Sequence, residues 1–105
     1  MFKLSVFYPN TPGATFDMDY YINTHMPLVQ NRVGSVCKGT GADSGLAGGA
    51  PGAPAAFIAI GHVYFDNVEA FQAAFAPHAA EIVADVANFT NVEPTLQFSA
   101  ISLAP

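Results

Sequence analysis

The chain has 105 residues, enough for one domain with one hydrophobic core, so we assign residues 1–105 to a single domain. Charged residues make up only 10% of the chain and hydrophobic residues 51%, which indicates that another subunit covers some apolar surface. Three cationic residues and a net charge of −5 provide no basic patch, which excludes nucleic acid and anionic membrane surfaces as main partners.

The single cysteine, Cys37, excludes an internal disulfide and agrees with a reducing compartment. The sequence begins with a strand pattern instead of the apolar run of a signal peptide, and no stretch is long and apolar enough to span a membrane. We therefore predict a cytoplasmic protein. The three histidines and the cysteine show none of the tight spacings of zinc ligands, so we predict no metal and no cofactor.

The first predicted strand covers residues 2–8, where apolar residues alternate with Lys3 and Ser5. A turn rich in proline and glycine follows at residues 9–13. Asp17 is then placed to cap a helix, and Phe16 before it is placed to act as a hydrophobic staple.

The predicted helix carries a histidine on its apolar face. At about 100° per residue, Met18, Tyr21, Ile22 and His25 share one side, so we expect His25 to point inward. Burial favours the neutral imidazole and a helix C-terminus favours the charged one, which leaves the direction of its pKa shift open. The same pattern also fits a core histidine that only bonds a backbone carbonyl or a tyrosine.

Pro27 predicts that this helix ends or kinks near His25. Proline lacks an N–H and crowds the carbonyl four residues back, and it biases Met26 away from helical angles. A second helical segment is expected from residue 27 to about residue 33. An inward imidazole at a helix break borders any cavity, where it can act as general acid or base.

The middle of the chain predicts two further strands and a loop. Residues 35–43 form a weak strand candidate interrupted by glycines, and residues 44–54 form an uncharged loop, either a plain linker or a lid over a ligand. Residues 57–65 form the strongest strand, and both of its faces are apolar, so both must be covered.

His62 and Tyr64 share one face of that strand, which points either toward the helices or away from them. If His62 faces the same cavity as His25, the pair with Tyr21 or Tyr64 forms an acid–base set in an apolar pocket. Such a set suits enolisation, cyclisation or isomerisation of a small carbonyl or phenolic compound. The alternative is that His62 is a core histidine whose hydrogen bonds are all made within the protein.

The remaining elements complete a βαββαβ pattern. A helix capped near Asn67 ends at Pro77, a short helix covers residues 79 to about 88, and the last strand covers residues 95–103. This order predicts a ferredoxin-like α+β fold, an antiparallel sheet with the helices on one face. Because the other face is also apolar, we expect two sheets to pack face to face in a homodimer, a dimeric α+β barrel.

The segment around His25 resembles the signature of the EthD family, small proteins associated with ethyl tert-butyl ether degradation. The matching residues are Phe16-Asp17, Tyr20-Tyr21 and His25-Met26-Pro27-Leu28. Residues 85–94 look like the family's link into its last strand, and residues 3–9 look like its first strand. The resemblance implies the dimeric α+β barrel fold and a part in xenobiotic catabolism.

We therefore expect a protein that binds a small hydrophobic aromatic or carbonyl molecule in a barrel cavity. His25 is the predicted catalytic residue, a general acid or base, and the predicted ligand-binding residues are Tyr21, Ile22, His62 and Tyr64. Isomerases, cyclases and monooxygenases among relatives of the fold support this range by analogy. The alternative is a non-catalytic dimeric carrier or accessory module, so the sequence leaves open whether the chain is an enzyme.

Overall fold

The computed structural model describes all 105 residues, and its centre is one antiparallel sheet of four strands. The strands are β1 (Phe2–Pro9), β2 (Gly39–Ser44), β3 (Phe57–Phe65) and β4 (Thr95–Ala100), arranged in the order β2-β3-β1-β4. Each helical crossover therefore joins two strands that have a third strand between them. This confirms the predicted ferredoxin-like α+β fold.

Two helical crossovers connect the strands. The first contains α1 (Met18–Tyr20), a π-helical turn (Tyr21–His25) and α2 (Met26–Val33), and the second contains α3 (Val68–Phe75) and α4 (Ala79–Asp85). As predicted, a short turn containing Pro77 separates α3 from α4. None of these helices has the length and apolar character that crossing a membrane requires.

The hydrophobic core lies between the sheet and the helices. Alternate residues of the two central strands point into it, among them Leu4, Tyr8, Val63 and Phe65. The helices contribute buried residues to the same cluster, including Tyr21, Met26, Val29, Phe71 and Ile82. The helices therefore cover one face of the sheet.

The opposite face of the sheet carries no helix. It presents Phe7, Ile60, His62 and Tyr64, whose neighbours in the strands point to the core. These four side chains are partly exposed. We call this surface the open face.

Two strand boundaries differ from the prediction. β2 begins at Gly39 because α2 ends at Val33 with Gly34 as its C-cap, whose φ of 75° suits glycine, and a short helical turn over Gly34–Val36 follows before the chain extends. β4 ends at Ala100 because its partner there is Phe2, the first residue of β1, so no strand remains to pair with.

Candidate functional site

The helix that carries His25 continues through Pro27 by widening one turn. Proline has no N–H to donate to Asn23, and its ring would crowd that carbonyl in an α-helix. Here the N–H of Met26 donates to the carbonyl of Tyr21, a π-helical bond that spans five residues. Met26 keeps helical angles (φ −65°, ψ −39°), so the expectation that Pro27 drives it out of the helix is wrong.

The wide turn brings the rings of Tyr21 and His25 together. Their centroids lie 5.4 Å apart with an interplanar angle of 16°, and both side chains are buried. Ile22 does not join them, because the wider turn rotates it away from the core and leaves it 47% exposed. The predicted inward position of Ile22 is therefore wrong.

Asp85, the last residue of α4, holds the imidazole in place. Its Oδ2 lies 2.8 Å from Nδ1 of His25. Its Oδ1 accepts hydrogen bonds from the Tyr20 hydroxyl at 2.6 Å and from the Asn88 side-chain amide at 2.9 Å. These three partners fix the carboxylate, and the carboxylate in turn fixes the orientation of the imidazole.

The protonation of this pair follows from its surroundings. Burial lowers the pKa of His25, although the neighbouring Asp85 opposes that shift. Burial opposes ionisation of Asp85, but hydrogen bonds from Tyr20, Asn88 and His25 outweigh it and hold the pKa of the carboxyl below its usual range. A neutral imidazole beside an ionised carboxylate donates from Nδ1, which leaves a lone pair on Nε2.

A cavity of about 90 Å³ lies beside His25, between the helices and the sheet. Its lining is almost entirely apolar, and the polar groups that border it come from His25, Tyr8 and Tyr21. Burial raises the pKa of both phenols, so they stay protonated and can donate hydrogen bonds. The hydrogen bond of the His25 ring is made by Nδ1, and the ring borders the cavity.

Gly61 of β3 makes room for the Tyr21 phenol. A Cβ at position 61 would overlap the Tyr21 hydroxyl oxygen. Gly61 is buried and pairs with Val6 on β1 and Ala42 on β2, so the backbone there cannot easily retreat. The missing side chain therefore lets the phenol reach the sheet.

The structure brings together only part of the predicted site. His25 and Tyr21 meet at the cavity, whereas His62 and Tyr64 lie on the open face of the sheet. There Nε2 of His62 lies 2.8 Å from Oδ2 of Asp43, and its buried Nδ1 has no partner. The sheet separates the two histidines, so they do not form one acid–base set.

Sequence analysis missed Asp85, Tyr20, Asn88 and Tyr8. Asp85 follows the inward-facing Ile82 by three residues, a helical spacing that places both near the same face. Asp85 is also the first residue of the stretch 85–94, which resembles the family's link into its last strand, and that resemblance could have pointed to Asp85. Tyr20 lies off the apolar side of an ideal helix, yet its hydroxyl reaches Asp85 at the edge of the core.

Comparisons with known proteins agree on one family. The family model described as the EthD domain matches residues 13–93. The uncharacterized 11.0 kDa protein in the thcB-thcC intergenic region of Rhodococcus erythropolis is 33% identical over 102 residues, covering 94% of this chain and 93% of that protein.

Two solved structures share the fold. An EthD-like protein from Ralstonia eutropha is 45% identical with a TM-score of 0.94, and the match covers 99% of this chain and 94% of that one. An ethyl tert-butyl ether degradation (EthD) family protein from Bacillus halodurans is 22% identical with a TM-score of 0.69, covering 95% and 97% of the two chains. The second similarity bears on the fold alone.

Proposed function

This chain belongs to the EthD family, and on that premise we propose that it binds a small, uncharged carbonyl or phenolic molecule beside His25. The cavity lies on the helix side of the sheet, so this proposal places the ligand there and not between two sheets. Residues 1–105 act as one unit in the proposal, in a reducing cytoplasmic setting. A degradative role, which the family's name implies, is compatible with such apolar compounds.

The observation that carries the proposal is the contact between His25 and Asp85. A carrier needs only a group that forms a hydrogen bond to the ligand. Here the imidazole is held in one tautomer by the Asp85 carboxylate, which also accepts hydrogen bonds from Tyr20 and Asn88. That arrangement stabilises the imidazolium formed when Nε2 accepts a proton. It therefore favours acid–base chemistry over passive carriage.

The proposed reaction step is proton removal from the carbon next to a ligand carbonyl. The C–H bond breaks, the proton passes to Nε2 of His25, and the electron pair forms a carbon–carbon double bond as charge moves to the carbonyl oxygen. The protonated phenols of Tyr8 and Tyr21 supply hydrogen bonds for that oxygen. Return of a proton completes the exchange without any change of oxidation state.

Deuterium exchange tests this step without knowledge of the natural substrate. Ethyl methyl ketone is incubated with the protein in heavy water, and NMR follows the loss of the protons next to its carbonyl. His25→Asn keeps a donor near the position of Nδ1 for Asp85 but deletes Nε2, so we expect the exchange rate to fall about a hundredfold or more. Asp85→Asn should lower the exchange rate about tenfold or more, because the carboxylate no longer holds His25 in the tautomer with its proton on Nδ1.

The chain provides a matched control in its second histidine–carboxylate pair. His62→Asn alters the pair with Asp43 on the open face and should leave the exchange rate unchanged. Equal losses in the His25 and His62 variants would contradict the proposed base. Binding of the ketone without exchange above the rate in buffer would indicate a carrier.

We further propose that the open face packs against that of a second copy. Phe7, Ile60 and Tyr64 form an apolar surface on a sheet face without helices, and burying such a surface is the main driving force for association. Both protomers then present the same face across a two-fold axis.

Sedimentation measures this directly. We expect a dimer at micromolar concentration, and Ile60→Asp should convert it to monomers by placing a charge at the middle of the face. Glu69→Gln, on an exposed helical position, is the control and should leave the dimer intact. A stable wild-type monomer would contradict the dimer but would leave the His25 proposal standing.

A further inference from the structure

A groove of about 560 Å³ lies next to the His25 cavity, at the surface between α4 and the start of β4. Four residues line both spaces, so the cavity and the groove adjoin each other there: Val83, Val86, Pro94 and Leu96. His25, Tyr8 and Tyr21 border the cavity but not the groove. The two spaces together therefore have a polar inner part and an apolar outer part.

The cavity alone is too small for most hydrophobic metabolites. At about 90 Å³ it is smaller than the engineered cavity of about 150 Å³ that holds one benzene. A ligand with its carbonyl at His25 therefore has room inside for only a few more atoms. Any larger ligand must extend beyond the cavity, and the groove is the space that adjoins it at the four shared residues.

The residues shared by the cavity and the groove have the surface chemistry of a binding site for an aliphatic chain. Val83 is 64% exposed and Leu96 is 54% exposed, although both are large apolar side chains. Isolated exposed residues of this kind are ordinary, but here both residues line the cavity as well as the groove. A chain lying against them would remove its own apolar area and theirs from water.

The charges exclude an acidic ligand. None of the three cationic residues lines the cavity or the groove, and Arg32 is bound to Glu81 at 2.7 Å and 3.2 Å. The groove carries the carboxylate of Glu93 instead. A carboxylate or phosphate group would be buried or bound there without a cation to pair with.

From these observations we infer that the ligand is an elongated, uncharged lipophile: a short carbonyl or hydroxyl head beside His25 and an aliphatic tail in the groove. The inference rests on the proposed function, because it takes the cavity beside His25 as the place of the head. It adds a chain-length preference that the cavity alone would not give. The groove, and not the catalytic residue, then selects the substrate.

A homologous series of methyl ketones, from the ethyl to the octyl member, tests the tail. Calorimetry on the full chain should show an affinity that rises roughly threefold to fourfold for each added methylene, because each buried methylene has a similar transfer free energy. Leu96→Asp should weaken the octyl ketone about tenfold or more and leave the ethyl ketone unchanged. Val83→Asp, at the other strongly exposed residue that lines both spaces, should do the same if the Leu96 variant fails to fold.

Leu46→Asp is the matched control, because Leu46 is a leucine that is 94% exposed in the β2–β3 loop and lines neither space. It should bind every ketone like the wild type. An affinity that stops rising once the cavity is full, or equal effects of Leu46→Asp and Leu96→Asp, would overturn the inference. A change from dimer to monomer in Leu96→Asp, with chain-length dependence intact, would assign the groove to a protein interface and also overturn it.

These outcomes are separate from failure of the proposed function. If the ethyl ketone binds and exchanges its protons but longer ketones bind no better, only the tail is wrong. If long ketones bind with the expected dependence on Leu96 but none exchanges its protons, the general base is wrong and the binding preference stands. If no ketone of any length binds, both proposals fall.

Discussion

Replacing Gly61 with alanine tests the packing on which the cavity depends. The new Cβ would overlap the Tyr21 hydroxyl, and β3 is held on both sides by β1 and β2, so the phenol must move. Overpacking of this kind costs about 1–3 kcal/mol of unfolding free energy. Because Tyr21 stacks on His25, the displacement should also disturb the histidine.

A double-mutant cycle separates this clash from a general effect of alanine. In Tyr21→Phe the overlapping oxygen is gone, and the nearest ring atom, Cζ, lies 3.0 Å from the ideal Cβ position, a contact that a shift of a few tenths of an ångström relieves. Tyr21→Phe should therefore recover about 1 kcal/mol or more of the loss in Gly61→Ala. Urea unfolding monitored by circular dichroism measures all four members of the cycle.

Gly41→Ala provides the control, because its Cβ would make only ordinary van der Waals contacts on the open face, with His62 at 3.6 Å and 3.7 Å and with Tyr64 at 3.9 Å. It should be neutral within about 0.5 kcal/mol or slightly stabilising. If Gly61→Ala is as harmless as Gly41→Ala, or if the Tyr21→Phe cycle shows no coupling, the phenol does not pack against β3. The geometry assigned to the cavity would then be wrong.

Three further predictions concern stability. Burial lowers the pKa of His25 below its ordinary value of 6.5, so protonation favours the unfolded state. The unfolding free energy should therefore fall as the pH drops below 6.5, and it should fall less in His25→Asn. Urea titrations between about pH 5 and pH 8 measure this. Asp85→Ala should lower the unfolding free energy by about 1–3 kcal/mol, because the buried His25 loses its partner, and an unchanged urea midpoint would refute that contact. Asn67→Ala should cost about 1 kcal/mol in the same assay by removing the cap that accepts from the Ala70 N–H, whereas Asn67→Asp should retain most of the stability.

Local signals in the sequence predicted the fold well. The bounds of β3 agree with the continuous apolar run of residues 57–65, and Asp17 caps α1 by accepting from the Tyr20 N–H at 3.1 Å. Phe16 packs on Tyr21 with ring centroids 5.0 Å apart, as a hydrophobic staple should. These features depend on residues close together in the chain, which is why the sequence contains them.

The site depended on contacts that local patterns do not encode. Pro27 predicts a disturbed helix, but whether the chain breaks or forms a wide turn depends on the core around it. Asp85 is 60 residues from His25, and only the packing of α4 against the first crossover brings them together. The face of His62 likewise became clear only when the helices were placed on the other side of the sheet.

The tautomer of His25 tests the central claim most directly. Long-range proton–nitrogen NMR correlations of protein labelled with nitrogen-15 at histidine distinguish the two ring nitrogens. We expect His25 to be neutral at neutral pH, with its proton on Nδ1 and a free lone pair on Nε2, and we expect Asp85→Asn to disturb this pattern. A proton on Nε2, or a doubly protonated ring, would contradict the assignment of His25 as the base of the cavity.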